Sequence, residues 1–129
     1  MNLKKLILPF IALCILYALY SVFLADNRQV FLHSDGKTIE SRGDFNEQGQ
    51  GIGLHTHYYA NGQKHYELTF NHQGKLDGSY TYWYQNGELL SVASYANGLQ
   101  QGDYKKWDEQ NNLIKHEVYR NDSLAEKIK

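Results

Sequence analysis

Cysteine and proline are almost absent from this sequence. Its 129 residues hold one of each, Cys14 and Pro9, and both stand in the first 14 positions. No disulfide framework can therefore hold residues 26–129, so whatever folds there folds by packing and hydrogen bonding alone. The missing prolines leave that stretch free of the residue that interrupts strand ladders. Excess charge of either sign is also lacking. From Asp26 onward, 11 Lys and Arg face 14 Asp and Glu, a formal charge of −3. A nucleic-acid partner calls for a basic face, and that balance argues against one. It also argues against tight electrostatic adhesion to anionic lipid. A catalytic constellation is missing too. Ser91 and Ser94 have no base in reach, and Glu67, Glu88 and Glu117 form no paired acid–base set. The reading is of a non-enzyme without cofactor.

Tyrosine is abundant by contrast, with 11 copies, and Gly matches it. The stretch "YWYQNG", Tyr82 to Gly87, runs three aromatics into Asn-Gly. Aromatic residues suit a pleated, half-buried surface, and Asn-Gly between two such runs signals a tight hairpin. The pattern recurs. "GLHTHYYANGQKHYELTF" (Gly53–Phe70), "GSYTYWYQNGELLSVASY" (Gly78–Tyr95) and "GDYKKWDEQNNLIKHEVY" (Gly102–Tyr119) align without a gap over 18 positions, with starts 25 and 24 residues apart. Each opens on Gly, carries Tyr58, Trp83 or Trp107 five residues on, turns, and closes on Phe70, Tyr95 or Tyr119. The turns are Asn61-Gly62, Asn86-Gly87 and Gln110-Asn111, where Asn is the next best residue for a left-handed conformation. Val30-Phe31-Leu32, Asp35-Gly36 and Lys37–Phe45 read as an eroded earlier copy. A fixed period of this length signals a repeat architecture.

The pattern G-x4-[YW]-[YW]-x-N-G-x7-[YF]-x-N-G resembles the bacterial MORN-variant repeats, often described as YwqK-type antitoxin components. The resemblance is firm from Gly53 to Asp122 and looser from Val30. It implies an all-β, elongated, twisted antiparallel sheet of tandem MORN-like hairpins, a meander of about eight strands by hairpin count. It also implies a partner protein, with toxin neutralisation, as in an immunity protein, the specific expectation.

The first 25 residues differ from everything after them. Lys4 and Lys5 precede 20 uncharged residues, Leu6 to Ala25. As a helix those span roughly 30 Å, the thickness of a bilayer core. Tyr17 and Tyr20 lie toward the far end, where interfacial aromatics belong. Residues 1–25 are read as an uncleaved single-pass anchor, the alternative being a cleaved signal peptide ending at Ala25. The two lysines place the N-terminus in the cytoplasm and the repeat region outside it, in the periplasm if the membrane is a bacterial inner membrane. Residues 26–52 are then a linker with the degenerate copy, 53–122 three repeats, and 123–129 a tail in which Ser123 and Glu126 could cap one helical turn.

Taking each Asn-Gly as a two-residue type I′ turn pairs Tyr82 with Ser91, Trp83 with Leu90 and Tyr84 with Leu89. Alternation then places Tyr80, Tyr82 and Tyr84 on one face with Tyr104, and Tyr58, Trp83 and Trp107 on the other. The first set is the candidate partner-binding face. Tyr58, Trp83, Trp107, Phe70, Tyr95 and Tyr119 are assigned to packing, and Asn61, Gly62, Asn86, Gly87 and Asn111 to turns. His55 and His57 share a face, but His65 falls opposite, which leaves a metal site short of ligands. Gly49–Gly53 lacks the Lys-Ser/Thr of a phosphate loop and reads as a flexible joint. Arg42-Gly43-Asp44 reads as a turn. The expected function is a non-catalytic, membrane-anchored binding module. Alternatives are a structural or accessory subunit of an envelope complex or, more weakly, a lipid- or glycan-binding surface.

Overall fold

The computed structural model describes residues 29–129. The expected anchor, residues 6–25, lies outside them. Among the described residues no helix is long and apolar enough to cross a membrane. The described chain is one antiparallel sheet of nine strands in sequence order. They are β1 (Gln29–Leu32), β2 (Ile39–Phe45), β3 (Gly51–Tyr58), β4 (Lys64–Phe70), β5 (Leu76–Trp83), β6 (Leu89–Ala96), β7 (Leu99–Trp107), β8 (Leu113–Arg120) and β9 (Ser123–Lys127). The ninth strand falls on the expected helical turn: the run after Asn121-Asp122 pairs along β8 instead, because an open edge offers more hydrogen bonds than seven terminal residues can make alone. Gly51 opens β3 directly after a tight turn, so the segment around Gly49–Gly53 is no loose joint. Arg42-Gly43-Asp44 runs inside β2, with Gly43 buried, and not through a turn.

Repetition shows in the irregularities as much as in the ladders. The type I′ turn expected at Asn61-Gly62 and Asn86-Gly87 is replaced by a three-residue loop. Tyr84 C=O accepts from Gly87 N–H at 2.9 Å, and Tyr84 N–H donates to Glu88 C=O at 2.8 Å. Gly87 has φ 91°, while Asn86 keeps negative φ. This is a type I turn closed by a left-handed glycine, the next commonest hairpin solution. Tyr59–Gln63 repeats it, and in the third unit Asn111, at φ 61°, holds the glycine's place. The extra loop residue is absorbed at once by a bulge that leaves His65, Leu90 and Ile114 without ladder partners. Beyond the bulge Tyr82 pairs with Ser91, as expected, whereas Trp83 pairs with Leu89. True two-residue turns with both φ positive occur between units, at Asn97-Gly98 and Asn121-Asp122.

Each unit's opening glycine also has a structural reason. Gly53, Gly78 and Gly102 have φ 66°, 118° and 92°. Each sits where three residues of its strand oppose one of the preceding strand. A bulge of that kind needs a left-handed residue, and it increases the local twist.

A single-layer sheet has two faces and no interior between layers. Accordingly, no large side chain is fully buried among the described residues, and the buried apolar residues are Leu68 and Ala93, each 8% exposed. They are equivalent in their units, 25 residues apart. The same position is Gly43 in the first hairpin and Glu117 in the last, both buried. Side chains crossing between repeats hold the turn edge together. Tyr59 and Tyr84 hydroxyls donate to the C=O of Trp83 and Trp107, each at 2.9 Å, and Asn61 Nδ2 donates to Gln85 C=O at 3.0 Å.

Candidate functional site

Strand pairing assigns the faces. His55 pairs with Leu68, Tyr66 with Tyr82, Tyr80 with Leu68 and Ala93, and Tyr104 with Ala93 and Glu117. These side chains share one face, called here the tyrosine face. Residues between them, including Thr56, Tyr58, Thr81, Trp83, Lys105 and Trp107, point the other way.

Along the tyrosine face the rings form a near-continuous ribbon. Phe31, Phe45, His55 and Phe70 meet edge to face at centroid distances of 6.1, 5.0 and 5.1 Å. His57 stacks on Tyr66 at 4.3 Å, and Tyr66 lies 5.3 Å from Tyr82. Tyr80 stacks on Tyr82 at 4.7 Å, their hydroxyls hydrogen-bonded, and Tyr95 follows at 6.2 Å from Tyr80. Tyr104 and Tyr119 meet edge to face at 6.4 Å. Cross-strand aromatic pairs of this kind contribute about 0.2–1 kcal/mol each. The rings pack against one another and leave part of their outer surfaces exposed, since no second layer covers them.

Electrostatics keeps this ribbon uncharged near neutral pH. Burial, and then the hydrogen bond to Tyr82, pushes the Tyr80 hydroxyl well above the ordinary tyrosine range. Tyr66 and Tyr95 are raised as well, chiefly by burial. Burial and the neighbouring His55 hold His57 below the usual imidazole value, which favours its neutral form.

Charge gathers at the C-terminal end of the face, where Lys106, paired with Ser91 and Lys115, and Lys127, paired with Glu117, join Lys115 and Glu117. Glu117, 4% exposed, accepts from Lys115 Nζ at 2.9 Å and from the Tyr119 hydroxyl at 3.0 Å, both on Oε2. The Lys115 ammonium also lies 5.3 Å from the Tyr104 ring centroid. It holds the Glu117 carboxyl below its usual range, and Glu117 raises Lys115 in return. Next to this pair is a depression of about 310 Å³, with Ala93 at its floor and Tyr80, Tyr82, Tyr95, Tyr104 and Tyr119 around it. Gln100 and Lys115 complete the lining.

The structure brings Tyr80, Tyr82 and Tyr104 to this face. Tyr84 departs from the expected strip. Strand β5 ends at Trp83, so Tyr84 starts the turn and commits its hydroxyl to Trp107. Phe70, Tyr95 and Tyr119, assigned from sequence to packing, belong to the ribbon itself. Sequence reasoning missed Tyr66, His57, Lys115 and Glu117. Tyr66 joins only through the β4–β5 pairing, which crosses between repeats. Glu117 reads in the sequence as one of three unpaired strand acids, yet its alignment with Leu68 and Ala93 marks an inward position.

The opposite face is built differently. Lys64 Nζ lies 5.2 Å from the Trp83 ring and 2.6 Å from Glu67, and Arg42 lies 5.6 Å from the Tyr58 ring. Cation and aromatic alternate there, with no ribbon of rings. His65, expected on this face, lies in the β4 bulge, where alternation breaks, and meets the tyrosine face instead, stacked on Tyr59 at 4.1 Å and edge to face with Tyr82 at 5.9 Å. His55 donates from Nε2 to Asp44 C=O at 2.8 Å. No group of three metal-ligating side chains forms among the described residues.

Residues 52–72 and 76–97 match the family model of the MORN repeat variant. These two stretches correspond to β3–β4 and β5–β6. No curated protein and no solved structure matches the chain.

Proposed function

We propose that this chain is a non-catalytic repeat module that binds another protein through its tyrosine face. The observation that carries the reading is the ribbon of rings from His57 through Tyr66, Tyr82 and Tyr80 to Tyr95, partly exposed on a sheet without a second layer. Contiguous exposed aromatic surface marks interaction sites, and tyrosine is enriched where proteins meet. Stacked neighbours hold each ring in place, so little rotamer freedom remains to be lost on binding. The 20 uncharged residues from Leu6 to Ala25, flanked by Lys4 and Lys5, support a membrane anchor with the repeats on the non-cytoplasmic side. The partner we favour is a toxin-like effector that the module neutralises at the membrane. That step rests on the likeness of the repeats to antitoxin components.

Substitutions of opposite parity test the face. Cross-linking in cells and mass spectrometry identify the partner, and its affinity is then titrated. Tyr82→Ala should weaken binding by about 1–3 kcal/mol while the protein stays folded. Trp83→Ala should act mainly on stability. Loss of binding in a folded Trp83→Ala protein, with Tyr82→Ala unchanged, would assign the interface to the opposite face. A cross-linked partner that is a resident envelope subunit would replace neutralisation by a scaffolding role.

A further inference from the structure

Resting on the anchor proposed for residues 6–25, we infer that strand β1 is a lipid seat. Its edge, formed by Val30, Phe31 and Leu32, lies in the headgroup layer of the membrane that holds the anchor, and the sheet stands on it.

The first argument is the contrast between the two open edges. Eight large apolar residues are exposed among those described, and three of them, Val30, Phe31 and Leu32, are consecutive, at 51%, 46% and 47%. The others, such as Leu54 and Leu99, stand singly. Sheet edges are normally protected by charge, lysine above all. The far edge follows that rule, with Glu126 and Lys127 in β9 and Lys129 just beyond. Strand β1 has no charged residue. The second argument is how the side chains are disposed. Val30 pairs with Arg42 and points to the opposite face, whereas Phe31 pairs with Ser41 and meets Phe45 on the tyrosine face. An occupant docked on one face would leave part of this apolar run uncovered. A surface met edge-on reaches all of it. The third argument is the length of chain. Only Asp26, Asn27 and Arg28 separate Ala25, the end of the uncharged run, from β1. Fully extended, that connection spans at most about 14 Å. The headgroup layer is roughly 5–8 Å thick on each side of the core, so β1 is confined to that layer or to within about 10 Å of its outer surface. The unpaired backbone of an open edge is excluded from hydrocarbon but is hydrated among headgroups, which limits the depth from below. Contact through apolar side chains needs no anionic lipid, in keeping with the charge of −3 from Asp26 onward. With strands roughly 4.8 Å apart, Tyr66 on β4 and Tyr82 on β5 then stand about 14 and 19 Å from β1, the height at which the partner is met.

Spin-label accessibility on the full chain in phosphatidylcholine vesicles tests this. Cys14→Ala removes the one native thiol. Single cysteines are then placed by Val30→Cys, Leu32→Cys and, for comparison, Leu99→Cys and Leu124→Cys, all at exposed positions. Oxygen, which concentrates in lipid, and a water-soluble nickel chelate are the two relaxants. The ratio of oxygen to nickel accessibility should be at least about threefold higher in the two β1 variants than in Leu124→Cys. Val30→Cys and Leu32→Cys are separate proteins, so one that fails to fold leaves the other to decide. Extraction at alkaline pH reads the anchor independently. Ratios at β1 equal to that at Leu124→Cys, in a protein retained in the membrane, overturn the seat and leave the anchor standing. Exclusion of both relaxants together with dipolar broadening also overturns it, since two copies would then pair along β1. Release of the protein by alkali removes the anchor reading, and the seat falls with it.

Discussion

The two hairpins that match the repeat model, β3–β4 and β5–β6, differ from the two that flank them, β1–β2 and β7–β8, at the same inward position. The matched hairpins place Leu68 and Ala93 there; the flanking ones place Gly43 and Glu117. All four still extend one sheet. Each departure is met by a second one that it makes tolerable. Where Gly43 leaves space, the His55 ring fills it, so closely that a Cβ built on Gly43 would come within 2.1 Å of His55 Nδ1. Where Glu117 brings charge, Lys115 and Tyr119 satisfy it. Where Asn111 replaces the turn glycine, Asp108 replaces the tyrosine of Tyr59 and Tyr84, and its Oδ1 accepts from the N–H groups of Gln110 and Asn112 at 3.0 and 2.8 Å. A repeat that drifts from the common pattern keeps its fold by changing in pairs.

Breaking one member of a pair should therefore cost far more than the same residue type costs elsewhere. The largest effect is expected from transplanting the charge. Leu68→Glu puts a carboxylate at the inward position of a matched unit, where Tyr66 occupies the place of Lys115. It should destabilise the fold by about 3–5 kcal/mol at pH 7, as an uncompensated buried charge does. Glu117→Leu makes the third unit like the first and should leave the melting temperature unchanged or raised, since half-exposed Lys115 turns to solvent. Thermal melts of the two variants decide. Equal losses would mean that the inward position is no more sheltered in one unit than in the other.

Next in size is Gly43→Ala. The added methyl displaces the His55 ring, which is 7% exposed and donates to Asp44 C=O. Overpacking and a lost hydrogen bond together should cost about 2–4 kcal/mol. In a His55→Ala background the same change should be nearly neutral, because the space is then free. A full-sized loss in both backgrounds, read by denaturant titration, would mean that Gly43 matters for its backbone and not for the ring.

How far the sequence reveals all this depends on whether a contact is made within a hairpin or between hairpins. The sheet, its repeat and the Tyr82–Ser91 register follow from alternation and a 25-residue period, both local signals. The identity of the turn does not, since a three-residue loop with a one-residue bulge leaves the same register beyond it as a two-residue loop. The packing of Tyr66 on the Tyr80–Tyr82 pair, the embrace of Gly43 by His55 and the hollow around Ala93 all cross from one unit to the next. Predicting them requires the β4–β5 and β6–β7 registers, and those are set by the glycine bulges at Gly78 and Gly102, whose left-handed conformation a bare sequence does not display. Glu117 looks like any strand glutamate until it is placed in column with Leu68 and Ala93.

The third expected effect is in the pH dependence of stability. The Lys115 ammonium beside Glu117 holds its carboxyl below the ordinary value of 4.5. A carboxyl with a depressed folded-state value stabilises the fold above its unfolded value and loses that contribution as pH falls through the folded one. Wild-type melting temperatures should therefore decline below about pH 4.5, and Glu117→Gln should decline less steeply. A residual slope will remain. Asp103 and Asp108 are also held low, by His116 and by Asn112, and Asp35 is held at about 2, first by the Lys37 N–H and then by Thr38. Superimposable curves for wild type and Glu117→Gln would show that Lys115 does not compensate the carboxylate, and the pairing in the third unit would be broken on paper as well.

The smallest effect sharpens the comparison at the turns. Gly87 and Asn111 occupy the same left-handed position in consecutive units, at φ 91° and 61°. Asparagine tolerates that region with a modest penalty, whereas glycine adopts it freely but loses more freedom on folding. For Asn111→Gly the two terms oppose each other, and the net change should stay within about 0.5 kcal/mol. The reciprocal Gly87→Asn meets the same opposing terms, with one addition. A Cβ there comes 3.3 Å from Gln63 Oε1, the far end of a flexible side chain that can give way. It should cost up to about 1 kcal/mol. Turns that are equivalent by geometry must respond alike, so the two exchanges should differ by little more than that contact. If Asn111→Gly proves strongly destabilising, then the asparagine side chain does something in the third turn beyond filling a left-handed position. The matched and unmatched turns would then be different structures rather than two solutions of one.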